Sequence, residues 1–379
     1  MRPRTWPARA AAAAALASVV ALTACSSGST PPPRSAAPPP TATAGFVQPS
    51  TSPSTSAQRS AVPVRPNGQF TFAFAGDVNF AKRTATRLAQ NPATAFGVAA
   101  GVLSKADLTM VNLETAITSR DLPPQNKSFV FHAPPTALTA LRDAGVDLAT
   151  MANNHGADYG LGGLHDTLAA IATSKFPVIG IGADATQAFA PYVKTVNGVR
   201  LAVFAATQVR DETLANFSAG VHSPGVANAF SPLLINAVRA AKAAGYVVVV
   251  YLHWGTEYQT CPNEDQTAGA KELTAAGATA VVGTHAHVLL GAGWRSDGTY
   301  VAYGLSNYLW WESFGNEQDD NGVLTLTFRG GRVIASRFEP AHLDDTGVPV
   351  PATGAVAARI NAEWQRDRQC ADLSPTPVR

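Results

Sequence analysis

From Gln69 onward the chain alternates short apolar runs, which predict strands, with longer stretches of helical period. QFTFAFAGD, LTMVNLE, LATMANNH, PVIGIG, YVVVVYLH, TAVVGTHAH and YVAYGLSNY read as strands. Between them, helices are predicted over Ala95 to Lys105, TALTALRDAGVD, GLHDTLAAIATSK, SPLLINAVRAAKAAG and QTAGAKELTAAGA. YVKTVNGVRLAVFAA reads as a hairpin turning on Asn197-Gly198, and GVLTLTFRGGRVIASRFEP as a second turning at Gly330-Gly331. The pattern is that of an α/β domain over residues 67–350, followed by a C-terminal tail over 351–379.

The strands share one peculiarity. Continuous apolar runs belong to strands buried on both faces, and in such sheets ligands gather beyond the carboxyl ends of the strands. Asp77, Glu114, the Asn153-Asn154-His155 triplet, His253, and His285 with His287 each stand where such a run stops. Five strands therefore deliver acid, amide or imidazole groups to one edge. Buried polar groups need partners, and a divalent cation supplies one. The mix of nitrogen and oxygen donors without thiolate suits Mn, Fe, Zn or Mg, as one ion or as two bridged by a carboxylate. In the run GTHAHV, positions i and i+2 of a strand would put His285 and His287 on one face. His132, His165, His222 and His342 fall outside the pattern and read as solvated or capping residues.

Charge and composition narrow the partners. The 379 residues carry a formal net charge of +2, which gives no case for a nucleic-acid partner. The basic residues Arg2, Arg4 and Arg9 precede an apolar run to Leu22 and small residues before Cys25, the arrangement of an export signal over residues 1–24. Leu22-Thr23-Ala24-Cys25 resembles the bacterial lipobox. It implies a lipid on Cys25 and an extracytoplasmic, membrane-anchored protein, the alternative being an ordinary cleaved signal. Residues 25–66, rich in Pro, Ser, Thr and Ala, read as a disordered tether. Cys261 and Cys370 then remain, as a disulfide favoured by an exported location or as two free thiols.

GDVNF, NLETAIT, MANNHGADYG, YLHWGTEY, GTHAHVLLG and YGLSNY, in that order, resemble the capsule-synthesis protein CapA family, associated with bacterial poly-γ-glutamate capsules and placed in the calcineurin-like metallophosphoesterase superfamily. The resemblance implies a four-layer α/β/β/α sandwich with two divalent metals at the strand ends. It implies that Asp77 and His287 hold a first metal, that Glu114 bridges, and that Asn154, His253 and His285 hold a second. His155 would be the general acid. Lys82, Glu257 and Asn307 are expected at the substrate, Glu257 alternatively as a hydrogen-bond acceptor for His253. Asn79 stands where the superfamily carries His, leaving the first metal a weaker or missing ligand. The implied partners are an anionic envelope polymer or a phosphoester substrate, and a membrane-bound polymer synthase. Two functions follow from this: a metal-dependent hydrolase of the phosphoesterase kind, or a non-catalytic factor that binds the polymer during export or attachment. Trp254, Trp294, Trp310 and Trp311 lie in or beside the motifs, where they would either wall a groove or pack in the core.

Overall fold

The protein is described by a computed structural model over residues 68–378. The export signal, Cys25 and the tether expected before residue 67 lie outside the described residues. In chain order the elements begin with β1 (Gln69–Val78), α1 (Lys82–Gln90), α2 (Ala100–Leu103), β2 (Leu108–Leu113), β3 (Ala116–Ile117), β4 (His132–Ala133), α3 (Thr136–Asp143), β5 (Leu148–Thr150), α4 (Gly160–Ser174), β6 (Val178–Ile179) and β7 (Ile181–Gly182). There follow α5 (Ala185–Ala188), β8 (Tyr192–Val196), β9 (Val199–Thr207), α6 (Glu212–Phe217), β10 (Gly225–Val226), α7 (Pro232–Ala243), β11 (Val247–Trp254), α8 (Glu264–Ala276) and β12 (Ala280–His285). The chain closes with β13 (Leu289–Trp294), β14 (Tyr300–Leu305), β15 (Asn307–Leu309), β16 (Asp320–Arg329), β17 (Arg332–Leu343), β18 (Pro349–Pro351) and α9 (Gly354–Cys370).

Two large sheets form. One runs β18-β17-β16-β1-β2-β5-β6 with β15 also paired to β1, and the other runs β13-β14-β12-β11-β9-β8. Period-two alternation along the strands decides the layering. On β1, Phe70, Phe72 and Phe74 pack against Val203, Val249, Tyr251 and Val282 of the second sheet. The opposite face of β1, with Ala73 and Ala75, and with Val78 beyond a register irregularity between Phe74 and Asp77, packs on Leu88, Leu103, Leu138, Leu141 and Leu164 from the helices. On the second sheet Phe204, Val248, Val250 and Leu252 meet Leu234, Val238, Ala270 and Leu273 of α7 and α8. The order is therefore helices, sheet, sheet, helices. Each fully buried Phe or Leu in these three cores contributes roughly 1.5–3 kcal/mol.

Local signals explain several elements. α7 starts on Ser231, whose side chain accepts from the Leu233 N–H, with Pro232 at the first helical position. α8 starts with a capping box between Asn263 and Gln266. The β8–β9 hairpin turns on Asn197 and Gly198, both at positive φ. Gly76 is required by proximity, since a Cβ there would lie 1.9 Å from the Ser306 carbonyl.

Elsewhere the structure differs from the sequence pattern. The helix expected over Ala95 to Lys105 is broken into 3₁₀ turns and the one-turn α2, because Gly97 takes a left-handed φ of +51°. Helix α1 is an addition; it buries only Thr84 and Leu88, too few apolar positions to show a period. The C-terminal tail contains α9, whose Ile360 and Trp364 enter the core between the sheets. Cys261 and Cys370 are disulfide-bonded, joining the end of α9 to the segment after β11. Among the described residues no helix is long and apolar enough to cross a membrane.

Candidate metal centre

β1, β2, β5, β11 and β12 all run parallel to their neighbours from this set within each sheet, so their carboxyl ends lie at common edges. The paired registers put Asp77 opposite Asn112 of β2 and opposite Asn307 of β15. Asp77, Glu114 and His253 converge so that one ligand atom from each lies within 4.8 Å of the others, and all three are fully buried. A second group of the same size joins His285, His287 and the exposed Glu257. The two are adjoining, since the rings of His253 and His285 lie 4.6 Å apart and His287 Nδ1 is 3.8 Å from Asp77 Oδ2.

Asn112 is the organiser that the sequence reading did not single out. Its side-chain nitrogen lies 2.8 Å from Asp77 Oδ1, 3.2 Å from Glu114 Oε2 and 3.2 Å from His253 Nδ1. Its Oδ1 accepts from Asn153, whose own oxygen accepts from the His155 backbone N–H. Asn153 thus braces the loop instead of facing the cleft. Asn154 Oδ1 sits 2.8 Å from His253 Nε2, and Thr284 Oγ1 is 3.2 Å from His253 Nδ1.

His155 lies past the end of β5, in the loop that follows it. Its Nδ1 is 2.6 Å from Asp158 Oδ2, which turns Nε2 toward Glu114 Oε1 at 3.7 Å. Asp158 also accepts from the Phe131 N–H and pairs with Lys127, which pairs in turn with Asp211. The Asp three residues after His155 was the only hint of this chain in the sequence. Lys127, in an irregular segment, gave none.

The strand expected to carry both histidines of the HAH run ends at His285, and His287 stands in the following loop. His285 has φ +101° and His287 φ +57°, so a backbone reversal, not strand alternation, brings the rings to 5.8 Å. Ser306 and Tyr258 also have positive φ. Strain of this kind costs about 1–3 kcal/mol per residue and gathers at functional sites. Asn307, expected at the substrate, is buried; its Oδ1 is 2.7 Å from His287 Nδ1 and its nitrogen donates to the Gln318 carbonyl. Lys82 is exposed, with Nζ 3.9 Å above the Trp311 ring. Asn79 donates to the Glu114 carbonyl while its Oδ1 has no hydrogen-bond partner among the described residues.

The four tryptophans separate. Trp254 and Trp294 are core residues whose N–H groups donate to the carbonyls of Tyr303 and Val333. Trp310 and Trp311 flank the centre, Trp310 with its ring 5.0 Å from that of His287. A cavity of about 540 Å³, lined by Gln208, Arg210, Thr256, Glu257 and Asn263 among others, opens onto His285.

Burial raises Asp77, opposed chiefly by the nearby His287, and raises Glu114 far more, with the Asp77 charge adding to it. Burial drives His253 and His285 well below the ordinary imidazole value and lowers His155 against the pull of Asp158. Burial alone would also lower Lys127, but Asp158 and Asp211 reverse that and raise it. Neutral imidazoles keep a lone pair for coordination, and two carboxylates so close call for a cation. Glu114 Oε1 and His285 Nδ1 are buried with no hydrogen-bond partner among the described residues. Those orphaned donor atoms, in a set of oxygen and nitrogen ligands without thiolate, fit a divalent metal.

A four-layer α/β sandwich with a carboxylate–imidazole centre across its two sheets is the class of protein that emerges. The chain belongs to the bacterial capsule synthesis protein PGA_cap family, whose model matches residues 71–310. It is 29% identical over 273 residues to the PGA biosynthesis protein CapA of Bacillus subtilis, covering 70% of each chain. It is 28% identical over 235 residues to the capsule biosynthesis protein CapA of Bacillus anthracis, covering 61% of this chain and 56% of that one. Among solved structures it is similar to one described as a novel phosphatase of Mycoplasma pneumoniae, with TM-score 0.45 and 16% identity, over 73% of this chain and 95% of that one.

Proposed function

We propose that the protein is a metal-dependent hydrolase of the phosphoesterase kind, acting on an ester of a cell-envelope polymer during capsule-type polymer synthesis or attachment. The observation that carries this reading is the oriented His155, whose Nε2 faces the Glu114 carboxylate beside a set of donors in which Glu114 Oε1 and His285 Nδ1 lack hydrogen-bond partners among the described residues. Asp77, Glu114, Asn154, His253, His285 and His287, with Glu257 at the edge, would hold two divalent ions. Bound cations supply charge neutralisation and an activated water. In the displacement the water oxygen bonds to phosphorus and gives up a proton to solvent, and the bond from phosphorus to the leaving oxygen breaks. That oxygen departs with the electron pair and takes a proton from Nε2 of a doubly protonated His155, whose Nδ1–H stays on Asp158; the proton released by the water restores the ring. Asp158 fixes the ring for that transfer. Lys82 offers positive charge at the mouth, and Trp310 and Phe131 exclude water from one side. In the cell this activity would sit outside the cytoplasmic membrane, held by a lipid on Cys25 beside a polymer synthase.

A second reading, a polymer-binding assembly factor without turnover, is favoured by Asn79. Its amide donor is engaged by the Glu114 carbonyl, so the place of a further imidazole ligand is filled by a group that binds metal weakly. The deciding experiment is elemental analysis of the Cys25→Ser protein, followed by assay of phenyl phosphate hydrolysis with the metal found. The hydrolase reading expects near-stoichiometric Mn, Fe or Zn and turnover reduced on the order of 10²-fold or more by His155→Ala. Protein that neither contains nor takes up a divalent metal would sink it.

A further inference from the structure

We propose that Lys127 is a positioning residue that locks His155 and Asn154 into a single geometry, an inference that rests on His155 acting as proton donor. Lys127 belongs to the irregular segment between β3 and β4, yet its side chain is only 8% exposed. Its ammonium is 2.9 Å from Asp158 Oδ1 and 2.8 Å from Asp211 Oδ2. It also donates to the backbone carbonyl of Asn154, which accepts from Thr213 Oγ1 as well, at 2.7 Å. The other oxygen of Asp158 holds His155 Nδ1. One ammonium thus reaches the proton donor through a single carboxylate, and the Asn154 amide through that residue's own backbone.

The arrangement is more than a buried ion pair. Three segments meet at Nζ: the segment carrying Lys127, the loop after β5 of the first sheet, and the stretch before α6 that follows β9 of the second. Gln125 and Phe131, either side of Lys127, reinforce the contact, with Gln125 donating to the Ala157 carbonyl and the Phe131 N–H to Asp158. Removing the ammonium leaves Asp158 and Asp211 sharing a buried space with no cation between them. Asp158 then turns away, and His155 Nδ1 loses the acceptor that aims Nε2. A truncated partner in a buried charge pair has this effect because the remaining charge seeks another partner or water.

The test compares wild type with Lys127→Met and Lys127→Gln on the Mn-loaded protein, using phenyl phosphate and p-nitrophenyl phosphate. Phenolate is the poorer leaving group and depends on the proton donor, whereas p-nitrophenolate leaves almost unaided. Both variants, assayed at saturating Mn, should lower kcat on phenyl phosphate on the order of 10–100-fold and change p-nitrophenyl phosphate by less than about 3-fold, with KM unaltered. Lys127→Arg, which keeps the charge, should recover part of the loss. Equal losses on both esters, or none, overturn the proposal. Where wild type hydrolyses neither ester, the hydrolase reading fails by itself, and nitrogen-15 spectra of the His155 ring decide the positioning role. Wild type should show one tautomer with the proton on Nδ1, and Lys127→Gln a mixture; an unchanged spectrum in the folded variant overturns the proposal.

Discussion

Replacing Asn112 by Asp changes one atom's chemistry at the centre of the site while keeping its shape. The nitrogen that lies 2.8 Å from Asp77 Oδ1 and 3.2 Å from Glu114 Oε2 becomes an oxygen. If all three carboxylates stayed ionised, an effective dielectric of about 20 would give repulsions of roughly 6 and 5 kcal/mol at those distances. Protonating the new carboxyl is the less costly escape. At pH 7, holding an Asp protonated from its usual value near 3.9 costs about 4 kcal/mol, at 1.36 kcal/mol per pH unit. Asn112→Asp should therefore lose about 4 kcal/mol in EDTA at pH 7, a fall of about 8 °C for a domain of this size. The loss should shrink toward about 1.5 kcal/mol at pH 5 by the same arithmetic. Saturating Mn should then raise the melting temperature of the variant more than that of wild type, because the added charge faces the cation. Differential scanning calorimetry with and without Mn reads both effects. A variant that melts within about 2 °C of wild type in EDTA would show that Asn112 is not enclosed by the two acids, and an equal or smaller Mn shift would refute the cation.

Two further outcomes concern stability away from the centre. The disulfide links residues 109 positions apart, and the loop-closure estimate for that length is about 4.8 kcal/mol. Cys261→Ser with Cys370→Ser should approach that loss in urea unfolding, and a change below about 1 kcal/mol would mean the link constrains little. Burial pushes Asp367 up to about 6, with Arg366 opposing and Glu363 adding. Because the folded value lies above the unfolded one, the carboxyl's contribution is fully present below about pH 4 and lost as pH rises through about 6. Asp367→Asn should match wild type at pH 4 and exceed it by about 1 kcal/mol at pH 7.5, the shift being discounted for solvent screening. Parallel pH–stability curves for the two proteins would refute this.

The parts of the fold that could be read beforehand were those where burial on two faces leaves an unbroken apolar run. β1, β2, β11 and β12 are of this kind, and so were the polar groups at their ends. Where geometry depends on backbone reversal the strand pattern failed, as at His285 and His287, whose shared orientation comes from positive φ. α9 carries its buried Ile360, Trp364 and Asp367 at helical spacing, but in a polar sequence that read as a tail. Asp158 left only its spacing of three from His155, whereas Asn112 and Lys127 were missed for another reason. Their roles rest on contacts between segments up to 141 residues apart in the case of Asn112 and His253, and no local pattern encodes such a meeting.

The centre straddles the two sheets, and that placement has a consequence for how the molecule comes together. Asp77, Glu114 and Asn154 lie in or just past the strand ends of one sheet, while His253, His285 and His287 lie in or just past those of the other. The group of Asp77, Glu114 and His253 draws on both halves, so a cation there would be held only where the two have docked in correct register. Loading with metal would then check assembly: a misdocked chain would leave that group empty, and a correctly docked one would be drawn further from the unfolded state by the ion it captures.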